Sequence, residues 1–138
     1  MCIEAYAAGI IDGEGCINCR RNDRWGSGRW GYQLSVSVQM MDPSAITFLA
    51  TNFGGRARGP NAIGAYSWSL SGARAIEFLK KIETYCTVKL PHIRFALLFT
   101  VTNKVPYSVD LEEREFIYRG LRGLNRKGPG ASARRGIA

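Results

Sequence analysis

The sequence feature that most restricts the fold is a strict alternation of apolar and polar residues between Tyr32 and Met40, a stretch without any charged residue. The apolar positions are Leu34, Val36, Val38 and Met40, and the polar positions are Gln33, Ser35, Ser37 and Gln39. A period of two places these two sets on opposite faces of a β-strand. The stretch therefore predicts a strand whose sheet buries one face and leaves the other uncovered.

The remaining elements follow from periodicity, caps and turn residues. Asp42 and Pro43 supply an N-cap and a proline at the first helical position. Helices are predicted from Ile3 to Asp12, from Pro43 through Phe53, from a Ser71 cap through Tyr85, from Leu90 through Val101, and from Leu111, capped by Asp110, to about Asn125. Strands are predicted from Cys16 to Asn22, Tyr32 to Met40, Arg56 to Gly59 and Ala65 to Leu70.

The resulting order, αββαββααα, predicts the α+β class, with one antiparallel sheet whose helices cover a single face. With 138 residues, the chain has the length of one domain. We expect that domain over 1–125. The remainder, 126–138, is rich in Gly, Ala and Arg and is expected to be a disordered basic tail.

The uncovered face of the predicted sheet carries arginine and neutral hydrogen-bonding side chains, and no carboxylate. By strand parity its members are Asn18, Arg20, Asn22, Gln33, Ser35, Ser37, Gln39, Arg56, Arg58, Ser67 and Ser69. Asn and Gln pair with adenine edges, Arg pairs with guanine, and Ser adapts to either base. The face therefore predicts a β-ribbon that reads the major groove of double-stranded DNA.

The charge balance favours the same class of partner. Nineteen Lys and Arg stand against eleven Asp and Glu, a net charge of +8, so a polyanion is expected, with nucleic acid before an anionic membrane. The longest apolar stretch, near 95–101, is too short to span a bilayer, and the N-terminus lacks the pattern of a signal peptide. We expect a soluble, intracellular protein without membrane contact, in the cytoplasm, nucleoid or an organelle matrix.

The four cysteines do not predict a zinc site. Cys16 and Cys19 are spaced as Cys-x-x-Cys, but a strand would point them to opposite faces. The other candidate ligands are Cys2, Cys86 and His92, at spacings that match no common zinc module. We expect reduced thiols and no small-molecule cofactor.

One face of the first predicted helix has almost no side chains. Ala5, Ala8, Gly9 and Asp12 are spaced i, i+3, i+4 and i+7. Such a face packs closely either on the protein's own sheet or on a helix of a partner. The pattern leaves both interpretations open.

Two carboxylates follow in Asp12-Gly13-Glu14-Gly15, which the pattern predicts to be a flexible turn leading into the Asn18/Arg20 strand. Carboxylates beside a DNA-binding surface repel phosphate unless a divalent cation stands between them. The segment therefore indicates Mg²⁺ (or Mn²⁺) and hydrolytic chemistry.

The stretch from Tyr6 to Gly15, YAAGIIDGEG, resembles the signature helix of the LAGLIDADG homing endonucleases, and the later element spacing follows that family to about Leu98. One signature copy in a chain of this length resembles the members that act as homodimers. The resemblance implies a saddle of antiparallel strands over the DNA major groove, with the signature helices of two subunits packed along the dyad. It implies a dimer interface at Ala5, Ala8, Gly9 and Asp12.

The resemblance also implies the catalytic residues. Glu14 matches the family's metal-binding acid, which is more often aspartate, and the carbonyl of Gly13 matches a further metal ligand. Lys89, just before the helix that begins at Leu90, matches the family's catalytic-pocket lysine. Met40-Met41 stand where the family often has Gln-Lys, and Gln39 lies one residue early, so Gln39 has two possible roles: ordering solvent in the active site or reading bases.

We therefore expect a metal-dependent, site-specific double-strand DNA endonuclease that acts as a homodimer on a long pseudo-palindromic site. The first alternative is a catalytically weak relative that serves as an RNA-splicing maturase or a DNA-binding regulator. A structural RNA-binding protein would explain the charge and the Arg-rich tail. It would not explain the acidic segment or the helix face that lacks side chains.

Overall fold

The computed structural model describes residues 2–23, 30–98 and 111–126, with backbone alone at 21–23, 30–31, 111–113 and 126. Within these ranges the chain forms five α-helices and four β-strands in the predicted order, with one short 3₁₀ turn between the third and fourth helices. They are α1 Ile3–Glu14, β1 Gly15–Asp23, β2 Trp30–Met40, α2 Pro43–Phe53, β3 Arg56–Arg58, β4 Tyr66–Ser71, α3 Ala73–Ile82, the 3₁₀ turn Glu83–Tyr85, α4 Leu90–Leu97 and α5 Leu111–Arg126.

The four strands form one antiparallel sheet in the order β1-β2-β4-β3. Two hairpins, β1β2 and β3β4, join through β2 and β4. Gly15 pairs with Val38 where β1 begins, and Met40 pairs with Tyr66 where β4 begins. The C-terminal end of α1, the end of β2 and the start of β4 therefore lie at the same end of the sheet.

All five helices share a core with one face of this sheet, which confirms the predicted α+β class. Seven inward side chains of β1, β2 and β4 are at most 3% exposed: Ile17, Cys19, Leu34, Val36, Val38, Trp68 and Leu70. Trp68 stacks edge-to-face on Phe78 of α3, and its indole N–H donates to the carbonyl of Gly54 at 2.7 Å. Because this bond satisfies the indole N–H, the ring of Trp68 is buried without an unpaired polar group.

The predicted N-cap of α3 is wrong by one residue. Ser71 is the last residue of β4, and Gly72, with φ of 62°, occupies the N-cap without a side-chain bond. The chain must reverse sharply there while the N–H of Gly72 donates to the carbonyl of Leu34 at 2.9 Å. Glycine adopts this left-handed conformation without steric cost, whereas serine does not.

The predicted acidic turn is also wrong, because α1 continues through Glu14. Gly15 then opens β1 directly, and its N–H donates to the carbonyl of Ile11. A Cβ on Gly15 would lie 2.7 Å from that same carbonyl oxygen. The close approach explains why glycine, and no larger residue, joins this helix to this strand.

Several predicted features lie at or beyond the edge of the described chain. Helix α4 ends at Leu97, so the predicted extension to Val101 falls outside the described residues, as do the Asp110 cap and the tail. The predicted helix from Leu111 is confirmed as α5. Across the described ranges, no helix combines the length and apolarity needed to cross a bilayer.

Candidate functional site

The uncovered sheet face is a concave surface lined by the polar side chains that strand parity selected. Those that line it are Asn18, Arg20, Gln33, Ser35, Ser37, Arg56, Arg58, Ser67 and Ser69. Gln39 lies on the same face and is exposed. The backbone of Asn22 pairs with that of Gly31, and the side chain of Asn22 is not among those that the structure describes. Cys16 and Ser71 also line the surface and were not predicted, although their parity with Asn18 and Ser69 would have included them.

Strand register arranges these residues in rows across the sheet. Ser37 pairs with Cys16 and Ser69, and Ser69 pairs with Arg56. A second row runs from Gln39 through Ser67 to Arg58, and Gln33 pairs with Arg20. Neighbouring strands within a row are about 4.8 Å apart, and successive rows are about 6.6 Å apart along a strand.

The charges on this surface follow strand position. Arg20 lies on the edge strand β1, and Arg56 and Arg58 lie on the other edge strand, β3, whose residues are all exposed. The central strands β2 and β4 supply serine and glutamine. No acidic residue is among those that line the surface. The face is therefore neutral along its middle and positive along both edges, which suits a polyanion laid across it.

Glu14 stands at one end of this surface. It is the last residue of α1 and is exposed. Glu14 and Gln39 line one shallow depression together with Met41, Ile63 and neighbouring residues. The only predicted metal-binding side chain thus lies where the polar face ends.

Asp12 joins this end of α1 to the segment that carries Lys89. One carboxylate oxygen accepts from the N–H of Thr87 at 2.9 Å, and the other accepts from the N–H of Lys89 at 3.0 Å. These bonds bring the backbone of Lys89 to the last turn of α1. Asp12, which accepts them, is two residues before Glu14 in the sequence. No local pattern predicts this contact, because the partners are 75 and 77 residues apart along the chain.

Cys86 lies beside the same carboxylate. Its thiol is buried and donates to the carbonyl of Ala8 at 3.7 Å. Burial, followed by the negative charge of Asp12, raises the pKa of Cys86 to about 12. The thiol is therefore a neutral packing group that fixes this segment against α1.

The predicted interface face of α1 needs correction. Ala8 has no exposed surface and belongs to the core, and the carboxylate of Asp12 is engaged by the 87–89 segment. The exposed stripe instead runs through Tyr6, Gly9 and Gly13, with Ala5 half-buried beside it. A Cβ on Gly9 or Gly13 would meet nothing within 4 Å, so this stripe is open.

The residues present fit a divalent cation that is shared with another molecule. Glu14 offers a carboxylate, and the carbonyl of Gly13 lies in the last helical turn, where carbonyls lack a partner further along the helix and the dipole is negative. No group of three His, Cys, Asp or Glu side chains gathers anywhere in the described ranges. Mg²⁺ typically binds through one or two carboxylates plus substrate phosphates, which suits this donor set.

Cys16 and Cys19 point to opposite faces of β1. Cys16 is exposed on the concave surface, whereas Cys19 is buried on the core face, where burial raises its pKa to about 12. Burial, with help from the charge of Lys89, lowers the pKa of His92. His92 is therefore a neutral packing residue near neutral pH.

Comparison by sequence alone finds no matching protein-family model and no matching curated protein. By structure, the chain is similar to the homing endonuclease I-CvuI in complex with its target in the presence of 2 mM Ca, with a TM-score of 0.72 and 21% identity over 91% of this chain and 83% of that one. It is also similar to the archaeal intron-encoded homing endonuclease I-Vdi141I complexed with DNA, with a TM-score of 0.74 and 16% identity over 91% and 85% of the two chains.

A third similar structure is I-SmaMI bound to an uncleaved DNA target in the presence of calcium ions, with a TM-score of 0.69 and 18% identity. The match covers 96% of this chain but 48% of that one, so this chain spans about half the length of I-SmaMI. I-SmaMI is a LAGLIDADG homing endonuclease. The topology, the position of the signature helix and these neighbours agree: the chain has the fold of the LAGLIDADG homing endonucleases.

Proposed function

We propose that this protein is a site-specific endonuclease that hydrolyses double-stranded DNA. One observation carries the proposal: an exposed carboxylate, Glu14, lies at the end of a concave sheet face that has no acidic lining residue. A pure DNA-binding protein gains nothing from a carboxylate beside phosphate. A metal-dependent nuclease requires one.

The concave face serves as the reading surface. Arginines on the edge strands suit guanine and phosphate, and Gln33 and Gln39 offer the paired donor and acceptor that suit adenine. Strands of an antiparallel sheet fit the major groove, so this four-stranded face could lie in it. Contacts from several rows provide sequence selectivity, and the net charge of +8 adds affinity that depends on salt.

The cleavage chemistry is assigned to the end of α1. Glu14 and the carbonyl of Gly13 would hold Mg²⁺ or Mn²⁺ jointly with the DNA phosphates. Such an ion, when bound, polarises the scissile phosphate and lowers the pKa of an attacking water. Lys89 supplies a positive charge that stabilises the negative charge developing on the phosphate oxygens. Gln39, in the depression that Glu14 lines, is assigned either to reading bases or to ordering solvent.

The active form is proposed to be a homodimer that joins through α1. The open stripe of Tyr6, Gly9 and Gly13 allows two helix backbones to approach closely. Tyr85 and Val88, in the segment that packs along α1, are 49% and 64% exposed and would extend the buried area. Two copies related by a two-fold axis would present two Glu14 residues, one for each DNA strand, to a pseudo-palindromic site.

The proposal is tested by cleavage of a randomised DNA duplex library with Mg²⁺ and sequencing of the cut ends. We expect recurrent ends at one long site from the unchanged protein and none from the Glu14→Gln variant. Specific duplex binding without any cutting would indicate a DNA-binding regulator instead. Preference for a structured intron RNA over every duplex would indicate a maturase.

A further inference from the structure

We propose that Asp12 is a positioning residue that holds Lys89 in place for DNA cleavage. The inference rests on the proposed function, since it concerns the lysine that the proposal places in the active site. It assigns to Asp12, the first acid of the signature segment, a role different from that of Glu14 and different from the interface role expected from the sequence.

The geometry of the Asp12 carboxylate supports this role. Each of its two oxygens accepts a hydrogen bond from a different backbone N–H, that of Thr87 at 2.9 Å and that of Lys89 at 3.0 Å. Two bonds from one planar group fix both the distance and the rotation of the segment relative to α1. Hydrogen bonds to an ionised acceptor are also stronger than those between neutral groups.

The bonds act on Lys89 itself. Lys89 is the N-cap of α4, and its carbonyl accepts from the N–H of Ile93 at 3.0 Å. The N–H held by Asp12 and the carbonyl held by α4 therefore constrain both sides of the same Cα. The side chain that leaves this Cα begins from a fixed point near the last turn of α1.

The same arrangement links Lys89 to Glu14. Asp12 and Glu14 are two residues apart within one helical turn, so the position of one determines the position of the other. The buried thiol of Cys86 anchors the segment again, on the carbonyl of Ala8. The rigid end of α1 thus carries the metal-binding acid and, through Asp12, the origin of the lysine.

Asparagine at position 12 tests the idea with little change of shape. Its one oxygen replaces at most one of the two acceptors, while its NH₂ group faces an N–H that has lost its partner. The variants are Asp12→Asn, Lys89→Ala and the double variant, measured by single-turnover cleavage with Mg²⁺ and by DNA binding with Ca²⁺. Glu115→Gln is the control, because that carboxylate accepts hydrogen bonds from Arg119 and from Tyr32, near the start of β2 and away from the end of that strand beside Glu14.

We expect Asp12→Asn to lower the single-turnover rate by about tenfold or more, with less than about a threefold change in Kd. In the Lys89→Ala background the same substitution should have almost no further effect, because a positioning residue acts only through the residue it positions. Glu115→Gln should lower Tm while leaving the rate within about twofold of the unchanged protein.

Thr87→Pro is a second variant in case Asp12→Asn does not fold. It removes one of the two donors without altering Asp12, and the preceding Cys86, at ψ 148°, has the extended backbone that suits a residue before proline. We expect an intermediate rate loss that again disappears in the Lys89→Ala background.

The outcomes separate the two hypotheses. Rate losses that multiply in the double variants overturn the positioning role and leave the nuclease assignment intact. A Thr87→Pro or Asp12→Asn rate equal to that of the unchanged protein overturns it as well. An unchanged protein that cuts no duplex overturns the proposed function, and the positioning role falls with it.

Discussion

Three acidic residues lie at the same end of the sheet, and their partners give them different chemistry. Asp12 accepts two backbone N–H groups from the 87–89 segment, and Asp42 accepts the N–H of Ser44 at 2.9 Å as the N-cap of α2. Glu14 is exposed and borders the concave surface. Residue type alone does not separate these roles, whereas hydrogen bonding and exposure do.

Glu14→Gln is expected to abolish cleavage while it preserves binding. The change keeps the size of the side chain but removes the charge that would hold the cation, so the cleavage rate should fall by about two orders of magnitude or more. Specific binding should stay equal or improve, because a negative charge beside phosphate is removed. Rates with Mg²⁺ and affinities with Ca²⁺ measure the two effects separately. Equal cleavage by both proteins would refute the assignment of Glu14.

Asp42→Ala is expected to make the stability of the fold less dependent on pH in the acid range. The backbone N–H of Ser44, and then its hydroxyl, lower the pKa of Asp42 from its usual 3.8. A folded-state pKa below the unfolded value means that this stability is present above about pH 4 and is lost as the pH falls through the folded pKa. The gap in Tm between the two proteins should therefore be largest near neutral pH and close in acid. A gap that is constant with pH would show that the cap acts without its charge.

At the scale of helices and strands, the sequence predicts the features that depend on local residue patterns. The alternation of β2, the Asp42 cap of α2 and the order of helices and strands along the chain are all confirmed, because each depends on neighbouring residues. The end of α1 and the N-cap of α3 were predicted wrongly, since both are decided by how closely separate elements approach. The bonds of Asp12 could not be predicted, because they join residues 75 and 77 positions apart.

The junction between α1 and β1 gives a prediction with opposite signs at Gly13 and Gly15, which are two residues apart. Gly15→Ala should destabilise the fold by about 1 to 3 kcal/mol, since its Cβ would lie 2.7 Å from a backbone oxygen that cannot move independently. Gly13→Ala should stabilise the helix by about 0.5 to 1 kcal/mol, because its Cβ meets nothing within 4 Å. Denaturant unfolding of the two variants measures both values. A stable Gly15→Ala variant would show that the junction has room to adjust.

The cross-strand pair of Arg20 and Gln33 should read particular bases. Alanine at either position is expected to relax the preference at a few base positions by about 1 to 3 kcal/mol each. Arg74→Ala is the matched control, because Arg74 is exposed on α3, away from the residues that line the concave surface. Selection of bound duplexes followed by sequencing compares the three variants. An unchanged preferred sequence in both the Arg20 and Gln33 variants would assign base reading to other residues.

At the scale of the whole molecule, the proposed function raises the question of how one chain of this length would cut both strands of a duplex. The chain spans 85% of I-Vdi141I but 48% of I-SmaMI, so it corresponds in length to about half of the latter. Each chain has one Glu14, which would hold the cation for cleavage of one DNA strand. A second copy joined through the open stripe of α1 would supply the other, which makes the oligomeric state a direct test of the mechanism.

Gly9→Leu separates dimer formation from folding. In the single chain a side chain at Gly9 meets nothing within 4 Å, so the substitution should leave each subunit folded and its helix propensity improved by about 0.5 to 1 kcal/mol. In a dimer that packs through this stripe, leucine would separate the two backbones and weaken association by about 1 to 3 kcal/mol or more. Gly123→Leu is the control, because Gly123 of α5 is equally open and lies outside α1. Light scattering at micromolar concentration should give a dimer for the unchanged protein and for Gly123→Leu, and a monomer for Gly9→Leu. A monomer in every case would require the two-fold arrangement to form only on DNA, and a dimer in every case would place the interface elsewhere.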